Sequence, residues 1–422
     1  MDRKKLRIDS SECKKSEYLG KYNNILSQVA VELGDRFAVI ASPTLSKQET
    51  VTKLHSYVCE QAQTEKKQAL PWRSLAEFIP RLILMTFNLV YASLRFRVKK
   101  LPPDCIYFRT WLVPRSVQDE VLKDDYFRSL PDDLLGNNNV IVSFQPMDYS
   151  LLNKFKDVNE KDNYIVAVGL LSLFDIIKLM INYICTAYLK INDVYKYKNK
   201  DIAPAINLSL LQDYLRLRSF QAYKEKYICQ KLLKFKLKAF IYVFENQSWE
   251  KVCCSILKEE NTKLIGYQSS GFSPIFLNFF PTAQDAEIQA MPDVILTVGE
   301  LFTRYLLDHG NFKNPIKTFS ALRFSHPNNG VRYSLLKPNL NLLKKILYAF
   351  PVHTSQYQSV INDLIKVFEN SSITVDLKFH PCIKQNKIYA LNSLPDNFNI
   401  ITQVDMSCLS DNYDVVIFND NS

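Results

Sequence analysis

Two short stretches of this sequence place proton-accepting and phosphate-binding side chains directly after apolar runs. "FENQSWEK", residues 244–251, follows "AFIYV" and brings Glu245, Gln247 and Trp249 close together. A carboxylate at a strand end can take a proton from a hydroxyl, while the same polar residues also suit a turn and a helix cap. "KFHP", 378–381, ends another apolar run. There the imidazole of His380, fixed by Pro381, can donate to a phosphate oxygen, and Lys378 adds positive charge. In "FPVHTSQ" the hydroxyls of Thr354 and Ser355 stand where a helix begins, so they can cap it while its exposed amides attract phosphate.

Such groups act together only if the elements behind them share one edge of a sheet. From about residue 238 the sequence alternates between short apolar strands and helices. "KAFIYVFE" reads as a strand, "SWEKVCCSILKEENT" as a helix opened by a Ser cap, and "KLIGYQSS" as a strand. "PDVILTVGE" follows as a strand, "LFTRYLLDHG" as a helix closed at Gly310, and "IKTFSALRF" as a further strand. "SHPNNGVRYSLLKPN" has no periodicity and reads as a linker. The alternation then restarts with "KKILYAFP", "SQYQSVINDLIKVFEN", "ITVDLKFHP", "NKIYALNSLP", "FNIITQ" and "YDVVIFNDNS". Alternation of this kind implies parallel sheets with helices on both faces, and ligands in open parallel sheets bind beyond the carboxyl ends of the strands. Upstream, "DRFAVIASP" and "NNVIVSFQP" look like strands, whereas 74–97 and 164–235 look mainly helical.

The expected fold class is therefore α/β, with two Rossmann-like domains. The first spans 1–325 and carries a large helical insertion at about 145–235; a linker covers 326–339, and the second domain covers 340–422. A chain of 422 residues exceeds what one core serves, which agrees with two domains. With only 9 Gly, neither G-x-G-x-x-G nor a P-loop occurs, so any phosphate must be held in another way. Nine scattered cysteines without a C-x-x-C, and a charged N-terminus without an apolar core, lead to the expectation of a reducing cytoplasm and no zinc site. The net charge of +10 suggests anionic partners. Nucleic acid is not expected among them, because the basic residues form no arm interleaved with aromatics and no zinc-finger or RNP motif is present.

Two apolar stretches raise the question of a membrane. The segment 164–189 carries Asp175, Lys178 and Asn182 at helical spacing, a polar stripe that suits a helix buried on most sides in a soluble protein rather than one crossing a bilayer. The segment 81–97 ends in Arg95 and Arg97 and is followed by Lys99 and Lys100, so residues 81–100 can rest on anionic headgroups at the inner membrane; an internal helix with solvated basic ends is the alternative.

The ordered set "FENQSWEK", "GYQSS", "MPDVILTVGELFTRYLLDHG", "ALRF", "ILYAFP", "KFHP", "DVVIFNDNS" resembles bacterial surface-carbohydrate glycosyltransferases of the GT-B class. It is similar in particular to capsule and lipopolysaccharide enzymes that share a His–Pro motif with sialyltransferases and Kdo transferases. The resemblance covers residues 238–422. It implies direct displacement at an anomeric carbon without a metal, and the sequence has no D-x-D. It further implies a CMP- or UDP-linked sugar as donor, a glycan or lipid-linked acceptor, and no cofactor. The resemblance gives His380 the donor phosphate, helped by a hydroxyl after the last strand, where Ser422 stands; Pro381, Lys378, Thr354 and Ser355 join it by their own positions, and Glu245 is read as the base because a strand-end carboxylate can have its pKa raised by burial. Gln247, Gln268, Ser269 and Arg323 would line the acceptor side, with Trp249 either packed below the loop or offered to a sugar face. Donor domains of this class continue past the point where Ser422 ends the sequence, so an incomplete second domain is expected. Alternatives are a glycerol- or ribitol-phosphate transferase of similar fold and a truncated, non-catalytic scaffold protein of the polysaccharide machinery.

Overall fold

A computed structural model describes residues 10–34, 37–48, 72–117, 122–136, 138–159, 161–197, 199–272, 276–322, 343–350, 357–379, 394–401 and 413–418. The chain divides into two compact units, Met1–Arg323 and Phe324–Ser422.

In the first unit the chain runs through helices α1 (Ser10–Glu32), α2 (Phe37–Ala41) and α3 (Trp72–Arg95) before reaching strand β1 (Ile106–Leu112). Then come α4 (Leu130–Leu135), β2 (Val140–Pro146), α5 (Leu151–Val158), β3 (Tyr164–Val166) and α6 (Leu173–Thr186). A two-stranded hairpin, β4 (Lys196–Tyr197) and β5 (Lys200–Asp201), leads to α7 (Ala203–Leu215) and α8 (Phe220–Leu232). The remainder alternates regularly: β6 (Ala239–Val243), α9 (Ser248–Leu257), β7 (Lys263–Gln268), α10 (Ala283–Ile288), β8 (Val294–Thr297), α11 (Glu300–His309) and β9 (Ile316–Thr318).

Seven of these strands form one parallel sheet in the order β3-β2-β1-β6-β7-β8-β9. The central strands are buried on both faces: every residue of β2 and β6 is buried, as a strand covered by helices on both sides requires, and β6 is apolar throughout. From β1 the chain builds outward to β2 and β3, then returns to add β6 on the other side of β1. That reversal makes the boundary between β1 and β6 the switch point, where consecutive connections leave in opposite directions and a crevice opens at the carboxyl edge.

The second unit is a four-stranded parallel sheet, β10 (Lys345–Ala349), β11 (Thr374–Lys378), β12 (Phe398–Ile401) and β13 (Val415–Phe418), in the order β12-β11-β10-β13. Helix α12 (Tyr357–Phe368) packs on it through Tyr357, Ile361 and Leu364. The same reversal recurs here between β10 and β13. Both units are thus parallel α/β sheets, the fold class expected from the alternation.

Three local expectations are corrected. "DRFAVIASP" forms no strand: Phe37–Ala41 is a short helix packed against α8 and α9. A five-residue apolar run has no period of its own, and tertiary packing decides its conformation. The segment 145–235 is mainly helical, as expected, but β3 lies within it and pairs with β2 in the main sheet, so the sheet does not stop where the helices begin. Helix α6 is not buried on most sides: Leu173, Phe174, Ile177, Ile181 and Ile184 are all exposed. Nor does Asp175 belong to a solvated stripe. It closes a capping box with Ser172 and pairs with Lys231 at 2.7 Å.

Helix α1 joins the unit through polar contacts rather than apolar ones alone. Asn23 donates to the Phe280 carbonyl at 2.9 Å, Ser27 donates to Asp285 at 3.1 Å, and the buried Lys47 pairs with the same carboxylate. Burial pushes the Lys47 amine down, while Lys47 and Lys251 hold the Asp285 carboxyl below its usual range against the upward push of burial.

Candidate active site

Strand β6 stops at Val243, and the next two residues carry the chain to the carboxyl edge beside the switch point. Phe244 stays buried. Asn246 takes a left-handed conformation at φ +52°, which Asn tolerates better than most residues, and so turns the chain into α9. The cap of α9 is Gln247, not Ser248 as the sequence suggested, because Glu250 folds back to complete a capping box with it. The Glu250 carboxylate accepts from the backbone N–H groups of Glu245 at 3.0 Å, Asn246 at 2.9 Å and Gln247 at 3.2 Å. Burial, and then the charge of Glu245, push the Glu250 carboxyl well above its usual range, against the downward pull of those amides.

The polar cluster after β6 therefore divides into two jobs. Asn246, Gln247 and Glu250 make the turn and the cap, and the Glu245 side chain is tied to them through Gln247. Half-buried at the edge, its carboxylate accepts from the Gln247 amide and from the Ser270 hydroxyl at 3.5 Å, so the ends of β6 and β7 meet on it. The loop is pinned from a third side. Asn278 donates to the Glu245 carbonyl at 2.5 Å, and Asn246 donates back to the Asn278 carbonyl at 2.6 Å.

The network continues along the rim. Gln268, buried at the end of β7, donates to the Ser270 carbonyl and accepts from the Val298 amide at 3.3 Å, joining the ends of β7 and β8. Ser269 is buried beside it, and its Oγ has no hydrogen-bond partner among the described residues. A buried hydroxyl left so is a group to which water or a ligand can bond. A carboxylate held by an amide and a hydroxyl, half open to solvent, can accept a proton from an incoming alcohol.

Strand β1 supplies groups that the sequence reading did not single out. Arg109 is fully buried, donates to Glu225 at 2.7 Å and to the Thr110 carbonyl at 3.0 Å, and lies 4.2 Å from the Trp111 ring and 4.3 Å from the Trp249 ring. Trp249 is therefore a core residue, 2% exposed, and its indole donates to Gln247 at 2.9 Å instead of facing an acceptor sugar. On the opposite face of β1, Thr110 donates to Asp124 at 2.9 Å, and the amides of Tyr126 and Phe127 donate to the same oxygen. Burial pushes the Asp124 carboxyl up to about 6 in spite of these donors.

Of the residues expected at a site, Glu245, Gln247, Gln268 and Ser269 lie together on the carboxyl edge of β6 and β7. Lys378 is the last residue of β11 in the second unit and is half-buried; beyond it Phe379 stacks on Phe350 at 4.6 Å. Arg323, Thr354, Ser355, His380, Pro381 and Ser422 lie outside the described residues. Among the described residues no cluster of His, Cys, Asp and Glu has the makings of a metal site.

No family model matches the chain, and no curated protein does. Solved structures resemble it in broad outline. The kitacinnamycin glycotransferase shows 10% identity and a TM-score of 0.39 over 76% of this chain and 76% of its own. MurG of Acinetobacter baumannii shows 10% identity and a TM-score of 0.36 over 75% of this chain and 72% of its own. The UDP-N-acetylglucosamine 2-epimerase of Neisseria meningitidis, solved with UDP-GlcNAc bound, shows 10% identity and a TM-score of 0.38 over 72% and 73%. Overlap this partial carries no inference about activity. The strand registers of this protein define its class, a pair of parallel α/β units.

Proposed function

We propose that this chain is a GT-B-type glycosyltransferase that moves a sugar from a nucleotide-activated donor to a surface-glycan or lipid-linked acceptor by metal-independent direct displacement. One observation carries the reading. A half-buried carboxylate, Glu245, stands at the end of the strand that forms the switch point of the first sheet, held by an amide and a hydroxyl from two strand ends. In this reading Glu245 deprotonates the acceptor hydroxyl as it attacks the anomeric carbon, while the bond from that carbon to the donor phosphate breaks. Gln247 and Ser270 orient the carboxylate, Gln268 braces the rim behind it through Ser270 and Val298, and the Ser269 hydroxyl is the group left to meet the acceptor. The donor phosphate is assigned in this reading to Lys378, which ends β11, and to His380, Pro381, Thr354, Ser355 and Ser422. The reading places the protein in the cytoplasm, in peripheral contact with the inner membrane through residues 81–100.

The test has two stages. Thermal melts of the full chain with CMP- and UDP-linked sugars should show a raised Tm with one series, since a ligand that binds only the folded state stabilises it. Glu245→Gln should keep that shift and lower transfer by roughly 10²- to 10⁴-fold, the range for a positioned general base. His380→Ala should reduce the shift. Melts indifferent to every nucleotide sugar, or transfer at the wild-type rate by the Glu245→Gln variant, would remove the proposal.

A further inference from the structure

The apolar surface of the first unit is concentrated on two neighbouring helices. Among the described residues, twelve of the 23 exposed large apolar side chains belong to α3 and α6. On α3 the residues Trp72, Leu75, Ile79, Ile83 and Phe87 follow one another at spacings of three and four, so they share a face. On α6 the residues Phe174, Ile177, Ile181 and Ile184 do the same. Ile83 is 65% exposed, Phe87 67% and Phe174 63%, values that belong to a surface no described residue covers.

The same two helices send their other faces into the sheet core, through Phe78, Leu82, Leu89 and Ala92 of α3 and Ile176, Leu179, Met180 and Tyr183 of α6. Since α3 and α6 pack against each other and bury into one core, their outer stripes both point away from it. Helix α3 is long and apolar enough to cross a membrane, yet it is fastened along its length. Ser74 accepts from Arg216 at 3.2 Å, Tyr91 donates to Asn153 at 2.7 Å, and Ser93 donates to the Leu171 carbonyl at 2.5 Å. A helix held in this way can lie on a bilayer, but it cannot span one without leaving the fold.

Charge identifies what covers this face. The single acidic residue of α3, Glu77, is bracketed by Arg73 at 2.7 Å and by Arg81. At the C-terminal end of α3 an open groove of about 590 Å³ is lined by Arg95, Arg97, Lys99 and Lys100, all exposed, with Asp162 as its acidic lining residue. The segment is fixed where it leaves the helix. The Val98 amide donates to the Gly169 carbonyl at 2.9 Å, and a Cβ on Gly169 would stand 1.9 Å from the Phe96 carbonyl oxygen, an approach that only glycine permits. An apolar stripe with an aromatic residue at one end and a rigid basic groove at the other matches a lipid surface, with acyl chains under the stripe and phosphates in the groove.

We infer that the joint outer face of α3 and α6 is a docking surface for an anionic phospholipid bilayer, in which the stripes enter the acyl boundary in plane and Arg95, Arg97, Lys99 and Lys100 hold the headgroup phosphates. This deepens the membrane contact proposed above, and lipid binding is measured without turnover, so it can fail while the sugar chemistry stands, or the reverse.

The test is flotation of the full chain with vesicles of phosphatidylcholine alone and of phosphatidylcholine mixed with phosphatidylglycerol. Binding is expected with the mixed vesicles, together with a blue shift in emission that Trp72→Phe abolishes, since Trp111 and Trp249 are already packed around Arg109. The pairs Ile83→Asp with Phe87→Asp, and Ile177→Asp with Ile181→Asp, should each weaken binding by roughly tenfold or more. Replacing Arg95 or Lys99 by Gln should weaken it about fivefold per charge, and only on the anionic vesicles. Melting curves of these variants identify any that fail to fold. Absence of flotation with the mixed vesicles, or flotation that neither aspartate pair reduces, overturns the inference. So does a dimer in light scattering that the aspartate pairs convert to monomer, because the face would then belong to a second copy of the chain.

Discussion

The surroundings of Arg109 and the outer face of α3 and α6 invert the usual arrangement of a globular protein in opposite senses. Around β1 charge lies inside: Arg109 and Glu225 are each about 1% exposed. That pair is held within the chain by the Thr110 carbonyl, by Gln221, which donates to Glu225 at 2.7 Å, and by the two indoles. On α3 and α6 apolar groups lie outside, and nothing among the described residues accounts for them. A buried ion with its partners present is explained by the fold itself, whereas an exposed apolar stripe is explained only by something the fold meets.

Substitutions should separate the two regions sharply. Arg109→Met, which strands the Glu225 carboxylate in the core, is expected to lower stability by about 3–5 kcal/mol in denaturant unfolding. Arg109→Met combined with Glu225→Leu should recover much of that loss, and a double variant no better than the single one would show that the pair is not the organising contact.

A smaller effect should follow pH. The Asp124 carboxyl sits at about 6 in the folded protein because burial outweighs its three donors, whereas an unfolded Asp titrates near about 4. The fold therefore favours the protonated form. This contribution is complete below about pH 4 and is lost as pH rises through about 6, a fall on the order of 2–3 kcal/mol. Asp124→Asn should flatten that part of the stability profile, and an unchanged slope in the variant would assign it to another group.

The smallest effect on folding is expected on the outer face. Ile83→Asp should change stability by no more than about 0.5 kcal/mol, because the side chain already stands in water. A large loss there would mean that the stripe is covered in the folded protein, and the contrast between the two regions would disappear.

Much of the architecture is legible in the residues. Strands β6, β7 and β8 are short runs of apolar and β-branched residues bounded by polar turns, and each carries its own signal. The edge positions of Glu245, Gln268 and Ser269 follow from those strands, because a residue just beyond a buried strand must reach the rim. Strand β1 is illegible for a physical reason. Its sequence "IYFRTWL" has an arginine and a threonine at its centre, and such a run looks unfit for burial until Glu225 is seen 116 residues away. The role of Glu250 is hidden in the same manner, since its function as a cap depends on Asn246 turning left-handed three residues after β6 ends.

The sequence by itself thus determined two parallel α/β units and the polar character of their strand ends, because alternation of short apolar runs with amphipathic helices leaves few other ways to bury both faces of a sheet. Only the tertiary structure decided that "FAVIA" is a helix, that Trp249 is a wall for Arg109, and that α3 and α6 carry apolar residues on two faces with only one of them packed into the core. Helical periodicity reports that a face is apolar; which side receives the core is fixed by the neighbours against which the helix packs.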